Sequence, residues 1–393
     1  MHGVLPEFRE RVARCRDIID RLYADFDATV KATVADGWPE PMVRRGFALH
    51  RETWDVGSLV DALHKELAAF GGVSALDRFV EGRRIIAPRQ VIHVWPALPG
   101  AGVTPMLYGW LLGASQSVRP SRRGRSFAQH FNEVCLDVLG APWICIEEGP
   151  TQRWRDADVV VISGSDDTVR SVTEFLHEGG HLRRPVVTAF GHRVSFALVV
   201  DDGTSETMSW AEPLARDIVM WHQLGCFSAR GVLFAGDTMR MSEFSRVLGA
   251  AIAEEEARQG AATIADDAAL AQRVQARGVA ECTAEVYGDG LGWVQVLSSP
   301  FRGEQVAPHV VTMHHVGARE KLSEVVALPP EHIQGVCLGM RERGATRSAW
   351  MDALVRLGAT RICMPGRLQA PPADWLHDGR PNVTGWIRVC VQD

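Results

Sequence analysis

The sequence predicts an α/β protein, and three observations carry that prediction. From about residue 85 onward, short apolar runs alternate with amphipathic stretches. One run, 157–164 (ADVVVISG), is nearly continuous, as expected for a strand covered on both faces of a parallel sheet. The stretches between carry apolar residues at helical spacing. Together these predict parallel strands joined by right-handed helical crossovers, and 393 residues leave room for two or three domains.

Taken in order, residues 1–75 read as helical. Val12, Cys15, Ile18, Ile19 and Leu22 recur near helical spacing. Trp38-Pro39-Glu40-Pro41 interrupts the pattern, because proline lacks an amide proton and clashes inside a helix. A second helix is expected from Val56 to Phe70, closed by Gly71-Gly72. Next come a strand at 90–95 (QVIHVW), a helix around 104–113 and a short strand leading into Val118-Arg119-Pro120-Ser121. Phe127, Phe131, Val134, Cys135 and Val138 mark one face of the following helix. Strands at 142–148 and 157–164, a helix bearing Val169, Val172, Phe175 and Leu176, and the apolar stretch 185–200 complete the first half. In the second half a helix with Trp210, Leu214 and Ile218 precedes a strand at 231–236 and a long helix from Met239 to Gln259. Further strands are expected within 293–299, 309–316, 332–339 and 359–366. The domains this suggests are an N-terminal helical region (1–75), a Rossmann-like domain (76–222), a second α/β domain (223–365) and a C-terminal segment (366–393).

Composition narrows the functional classes. Hydrophobic residues at 46% and charged residues at 23% suit a soluble globular protein rather than a disordered chain or coiled coil. A net charge of −6 provides no global attraction to nucleic acid or anionic membrane. Lys31, Lys65 and Lys321 are the only lysines among 42 basic residues, leaving 39 arginines, so any one arginine cluster is weak evidence for a site. Apolar runs fall short of the ~18 residues a membrane span needs. Eight irregularly spaced cysteines without a CxxC pair argue against a disulfide framework and for a reducing, cytoplasmic setting.

Four motifs could carry chemistry. Cys226 follows a helix and Gly225 and precedes a strand, a boundary where backbone amides can bind an oxyanion and a histidine or helix terminus can favour the thiolate. A small buried hydrophobe is the alternative. Ser163-Gly164-Ser165-Asp166 ends a strand and opens a helix, either as a phosphate- or ribose-binding turn or as an ordinary βα turn. Arg119-Pro120-Ser121-Arg122, with Arg123 and Arg125 behind it, suits a nucleotide phosphate or a solvated surface. His177-Glu178-Gly179-Gly180-His181 matches HExxH literally, but two glycines should end the helix before His181 comes one turn beyond His177, so no metal site is expected. His314 and His315 alternate faces on one strand and cannot chelate together.

The ordered set of segments resembles the LuxC-type acyl-CoA reductases of the aldehyde dehydrogenase superfamily. The resemblance runs through 91–107 (VIHVWPALPGAGVTPML), 115–122 (SQSVRPSR), 157–169 (ADVVVISGSDDTV), 190–200 (FGHRVSFALVV), 221–234 (WHQLGCFSARGVLF) and 358–381, with Trp375-Leu376-His377-Asp378-Gly379. It implies an aldehyde dehydrogenase-like fold. It also implies reduction of an acyl thioester, from acyl-CoA or a partner protein, to an aldehyde through an S-acyl enzyme on Cys226. Arg119, Ser121, Ser163, Gly164, Ser165 and Gly191 would bind NADPH or NADH. NADPH is favoured because Arg119, Arg122 and Arg123 could meet a 2′-phosphate. The sequence departs from the superfamily at Ala97, where an oxyanion-donating asparagine is usual, and at Ala189, where a water-activating glutamate is usual. Losing the glutamate suits a reductase, since hydrolysis would waste the acyl-enzyme. Losing the asparagine requires another donor, because such a donor is worth about 100- to 1000-fold in rate. A non-reducing acyl transferase or a degenerate acyl-binding scaffold is the alternative, followed by a zinc hydrolase. An acyl-activating partner protein and a homo-oligomer remain open.

Overall fold

The structure is a computed structural model that describes residues 7–140, 144–178, 184–260, 267–303 and 305–392. The chain forms two compact units: Met1–Trp38, Phe47–His192 and Pro372–Asp393 in the first, Pro39–Gly46 and Arg193–Pro371 in the second.

The first unit begins with α1 (Phe8–Ala24) and α2 (Phe26–Ala35), which meet at Asp25. Cys15, Ile18, Ile19 and Leu22 are buried, as their spacing predicts. A helix absent from the sequence reading, α3 (Glu40–Thr53), starts just past Trp38-Pro39; its residues through Gly46 belong to the second unit and those from Phe47 to the first. Pro41 lies in its first turn, where a missing amide proton breaks no helical bond. α4 (Val56–Leu67) is capped by Asp55, which accepts from the Ser58 amide at 2.7 Å, and its 3-10 extension to Phe70 stops where Gly71 turns left-handed (φ 95). After β1 (Arg83–Ile86), five strands form a parallel sheet: β2 (Gln90–Val94), β3 (Ser115–Arg119), β4 (Ile144–Ile146), β5 (Val159–Ser163) and β6 (Val186–Phe190). Their order is β4-β3-β2-β5-β6, with crossovers through α5 (Val103–Leu111), α6 (Arg125–Leu139), α7 (Gln152–Asp156) and α8 (Asp166–His177). Val160, Ile162, Ile92 and Val94 form the core under α8 with Val172 and Leu176.

The second unit contains β7 (Val194–Val200), α9 (Ala211–Val219), β8 (Ala229–Ala235), α10 (Thr238–Arg258), α11 (Asp267–Thr283), β9 (Glu285–Tyr287), β10 (Val294–Val296), β11 (Val311–Val316), α12 (Leu322–Val325), β12 (Ile333–Gly339), α13 (Ala345–Leu357) and β13 (Arg361–Cys363). The strands form a seven-stranded sheet of order β13-β12-β7-β8-β11-β10-β9, parallel except for β9. Phe196, Leu198, Leu233, Val336 and Leu338 are fully buried within it. The chain's last strand, β14 (Arg388–Val391), returns to the first unit and pairs antiparallel with β1.

The unit boundaries differ from the sequence expectation. The stretch 185–200 reads as one apolar run but holds two strands belonging to different sheets. β6 pairs with β5, whereas β7 pairs with β8 and β12, so the boundary falls at His192/Arg193 rather than at 222/223. Residues 1–75 are not a separate region either. Arg11 Nε donates to the Leu111 carbonyl at 3.0 Å, and Asp36 caps α6 by accepting from the amides of Ser126 (2.9 Å) and Phe127 (3.1 Å).

Candidate active site

Cys226 lies in the second unit, on the loop joining α9 to β8, and is half-buried. Its loop begins with an unusual backbone. Trp221, His222 and Gln223 all adopt left-handed conformations (φ 56, 52 and 61), each costing a non-glycine residue about 1–3 kcal/mol. Three anchors offset that strain. Trp221 is buried against Gly46, so closely that a Cβ there would run into the indole. Gln223 is fully buried and donates to the carbonyls of Ala229 (2.8 Å) and Val310 (3.2 Å). His222 Nδ1 lies 3.2 Å from His309 Nε2. Farther along, the Cys226 carbonyl accepts from Ser195 Oγ at 2.7 Å, and Ser195 Oγ accepts from the Gly335 amide at 3.1 Å, which ties the cysteine to β7 and β12.

The surroundings of Cys226 are charged in a way that bears on its chemistry. Burial lowers the pKa of Arg230, and the charge of Cys226 opposes that shift, so this guanidinium stands within electrostatic reach of the sulfur. A neighbouring cation favours the thiolate, which is the nucleophilic form. Behind the loop, Asp217 of α9 accepts from the amides of Gly366 (2.6 Å) and Leu368 (3.1 Å). Burial pushes its carboxyl up to about 7 against those hydrogen bonds and the charge of Arg361. Arg361 donates to the carbonyls of Leu368 (2.5 Å), Arg367 (2.6 Å) and Ala370 (2.9 Å), so the acid holds the amides and the cation the carbonyls of one strap.

The expected cofactor residues gather in the first unit, at the carboxyl ends of its parallel strands. Strand order reverses between β2 and β5, and such a switch point is where open α/β sheets bind nucleotides. Arg119 ends β3. Its carbonyl accepts from the Trp95 amide at 2.9 Å, and the Ser121 amide donates to the Trp95 carbonyl at 3.2 Å, lacing two strand ends together. Ser121 Oγ is buried without a hydrogen-bond partner among the described residues. The guanidiniums of Arg119 and Arg122 likewise have neither ion pair nor hydrogen bond among the described residues. Arg123 does not join them: it lies over the Trp38 ring at 4.0 Å and donates to the Gly37 carbonyl at 3.2 Å. Arg125 pairs with Glu148.

Ser163, Gly164, Ser165 and Gly191 meet at the ends of β5 and β6, but much of their polar capacity serves the turn itself. The Gly164 amide donates to the Phe190 carbonyl at 3.1 Å, and Ser165 Oγ caps α8 through the Thr168 amide at 3.2 Å. Asp166 Oδ1 accepts from the His192 amide at 2.7 Å and occupies the space a side chain at Gly191 would need. His377 of the C-terminal segment stacks on Phe190 at 3.7 Å. Ala97 and Ala189 lie on the loop after β2 and within β6.

The remaining motifs resolve as follows. α8 ends at His177, and Gly179–His181 lie outside the described residues. His314 is buried and His315 exposed, on opposite faces of β11. The eight cysteines are free. Cys15, Cys135 and Cys337 are buried, Cys145, Cys282 and Cys390 exposed, and burial pushes the half-buried Cys363 up to about 12. Sequence reading missed Arg230, Gly46, Asp217 and the His309–Glu256 pair. Of these, only Arg230, four residues past Cys226, was close enough in sequence to be noticed.

Comparison with known proteins agrees with this architecture. The succinic semialdehyde dehydrogenase of Streptococcus pyogenes, solved with NADP+, superposes with a TM-score of 0.72 at 12% identity, covering 98% of this chain and 90% of its own. An aldehyde dehydrogenase from Bartonella henselae gives 0.70 at 11% identity (98% and 87% covered). An NAD-dependent benzaldehyde dehydrogenase from Corynebacterium glutamicum gives 0.68 at 12% (98% and 85% covered). At these identities the likeness establishes an aldehyde dehydrogenase-like fold. No curated protein sequence matches the chain. The family model for acyl-CoA reductase (LuxC) matches residues 142–389, which takes in Cys226, the strap held by Asp217 and the C-terminal segment. The chain belongs to the LuxC family of acyl-CoA reductases.

Proposed function

We propose that this acyl-CoA reductase forms an S-acyl intermediate on Cys226 and uses NADPH. The observation that carries the proposal is the placement of Cys226: half-buried, fixed through its carbonyl by Ser195, and within electrostatic reach of the Arg230 cation. The Cys226 sulfur bonds to the acyl carbonyl carbon and the carbon–sulfur bond to coenzyme A breaks. The thiol proton ends on the coenzyme A sulfur, and Arg230 stabilises the attacking thiolate. When bound, a reduced nicotinamide supplies the hydride that turns the acyl group into an aldehyde, and Cys226 is released.

The residues at the end of β3 suit such a cofactor. Among the described residues, Ser121 Oγ is buried with no partner, and Arg119 and Arg122 present guanidiniums with no anion. This strand end holds arginines where NAD-binding sheets of this order place a ribose-binding carboxylate, which favours a 2′-phosphate and hence NADPH. Ala189 cannot activate water, which protects the acyl-enzyme from hydrolysis.

Incubation with acyl-CoA in the absence of nicotinamide tests the reading. A hydroxylamine-labile mass increase on the Cys226 peptide is expected, lost in Cys226→Ala, which still binds NADPH more tightly than NADH. Aldehyde production by a folded Cys226→Ala protein would end the covalent mechanism.

A further inference from the structure

Cys226 occupies the second position of a tight turn, closed by the Ser228 amide donating to the Gly225 carbonyl at 3.0 Å. Ser195 Oγ fixes this turn at the Cys226 carbonyl, 2.7 Å away. A second side chain fixes it at Ser228, which is fully buried. Ser228 Oγ accepts from Gln369 Nε2 at 3.1 Å and donates to the Met220 carbonyl at 3.5 Å. Gln369 Nε2 also donates to the Asp217 carbonyl at 3.2 Å.

The chemistry of these partners sets the direction of each bond. The Asp217 carbonyl only accepts, so the atom facing it is the amide nitrogen of Gln369 and not its oxygen. That nitrogen has two hydrogens, and Ser228 takes the second, which turns the hydroxyl proton toward Met220. The end of α9, the strap after β13 and the turn of Cys226 therefore meet at one amide. Gln369 is only 7% exposed, so a bond lost there is not replaced by water. Its chain neighbours are held by charged groups. Asp217 accepts from the Leu368 amide at 3.1 Å, and Arg361 donates to the carbonyls of Leu368 (2.5 Å) and Ala370 (2.9 Å). Charge-assisted bonds are stronger than neutral ones, so the strap presents Gln369 from a fixed backbone. The Arg361 guanidinium also lies 5.1 Å from the ring centre of Phe227, the residue between Cys226 and Ser228.

We propose that Gln369 is a positioning residue for Cys226, acting through Ser228 and resting on the reading that Cys226 is the acyl acceptor. The Cys226 sulfur meets the thioester carbon in one step and holds the acyl group for hydride delivery in the next. A misplacement of about 1 Å costs up to about 100-fold in rate at such a centre. In this role Gln369 transfers no proton and leaves the thiolate fraction of Cys226 unchanged. It keeps the turn aligned with the bound acyl group.

The test measures single-turnover acylation of Cys226 against acyl-CoA concentration, without nicotinamide, beside alkylation of the Cys226 peptide by iodoacetamide. Gln369→Leu keeps most of the bulk and removes the donor. Ser228→Ala breaks the same link from its other end by removing one oxygen atom. Thermal denaturation identifies the folded variants. Gln369→Leu should lower the maximal acylation rate about 10- to 100-fold, with the half-saturating acyl-CoA concentration and the alkylation rate unchanged. Ser228→Ala should show the same pattern, and the double variant should be no slower than the slower single one, because both remove one link. A wild-type maximal rate in either folded variant would overturn the proposal. So would equal losses of acylation and alkylation, or losses that multiply in the double variant. In each of those outcomes the wild-type protein still carries its adduct on Cys226. Absence of that adduct from the wild type would overturn the acceptor reading, and this role of Gln369 with it.

Discussion

Asp217 shows how much of this protein's behaviour can sit in one side chain. Its carboxyl is buried and pushed up to about 7, so the folded chain keeps a proton that the unfolded chain releases near pH ~4. Folding therefore weakens as pH rises from ~4 to about 7, and the contribution is fully present only below that window. Asp217→Asn removes the titration, although its NH2 group can no longer accept from one of the two amides. In urea titrations at several pH values, the variant should be less stable than the wild type below the window, gain on it through the window and differ from it by a constant amount above. Parallel pH profiles would show that the acid titrates normally. The same residue marks a limit of sequence reading. An aspartate near the end of an amphipathic helix looks solvated, and nothing local reveals that amides 149 and 151 residues away take its oxygens.

At the scale of elements, the turn 221–223 depends on a helix from the far end of the chain. Gly46 of α3 touches Trp221 with no room for a methyl group. Gly46→Ala should displace the indole, cost about 1–3 kcal/mol as overpacking does, and slow acylation of Cys226. Gly57→Ala is the matched control: its Cβ would meet Asp55 only at 3.4 Å, and alanine should stabilise α4 by roughly 0.5–1 kcal/mol. Equal effects from both substitutions would count against the packing argument. Elements whose signal lies in their own periodicity were legible, including α1, α6, the continuous run of β5 and the 3-10 extension of α4 to Phe70. Elements defined by partners were not. β6 and β7 merge in sequence because both are apolar, and only hydrogen bonding assigns them to different sheets. The position of Cys226 between a helix and a strand was legible. The contacts of His309 with His222 and Glu256 were not, because they span 87 and 53 residues.

For the whole molecule, neither unit is a continuous stretch of chain, so the last residues complete what the first began. Glu66 of α4 accepts from the amides of Asn382 (2.7 Å) and Val383 (2.9 Å) and from Thr384 Oγ1 (3.3 Å). Trp386 donates to Thr188 of β6 at 2.9 Å. Glu66→Ala leaves those amides without their carboxylate, and hydrogen bonds to charged groups contribute about 1.5–3 kcal/mol. Faster hydrogen exchange across 372–392 and β6 is expected, with β7, β8 and β12 unchanged. Uniform acceleration would mean that the closure serves the chain globally. The distribution of thiols offers a practical handle for labelling. Buried Cys15, Cys135 and Cys337 are out of reach of bulky reagents, and Cys363 stays un-ionised at neutral pH. Serine at Cys145, Cys282 and Cys390 would thus leave Cys226 as the principal target for a maleimide dye, and loss of dye uptake would time the arrival of the acyl group.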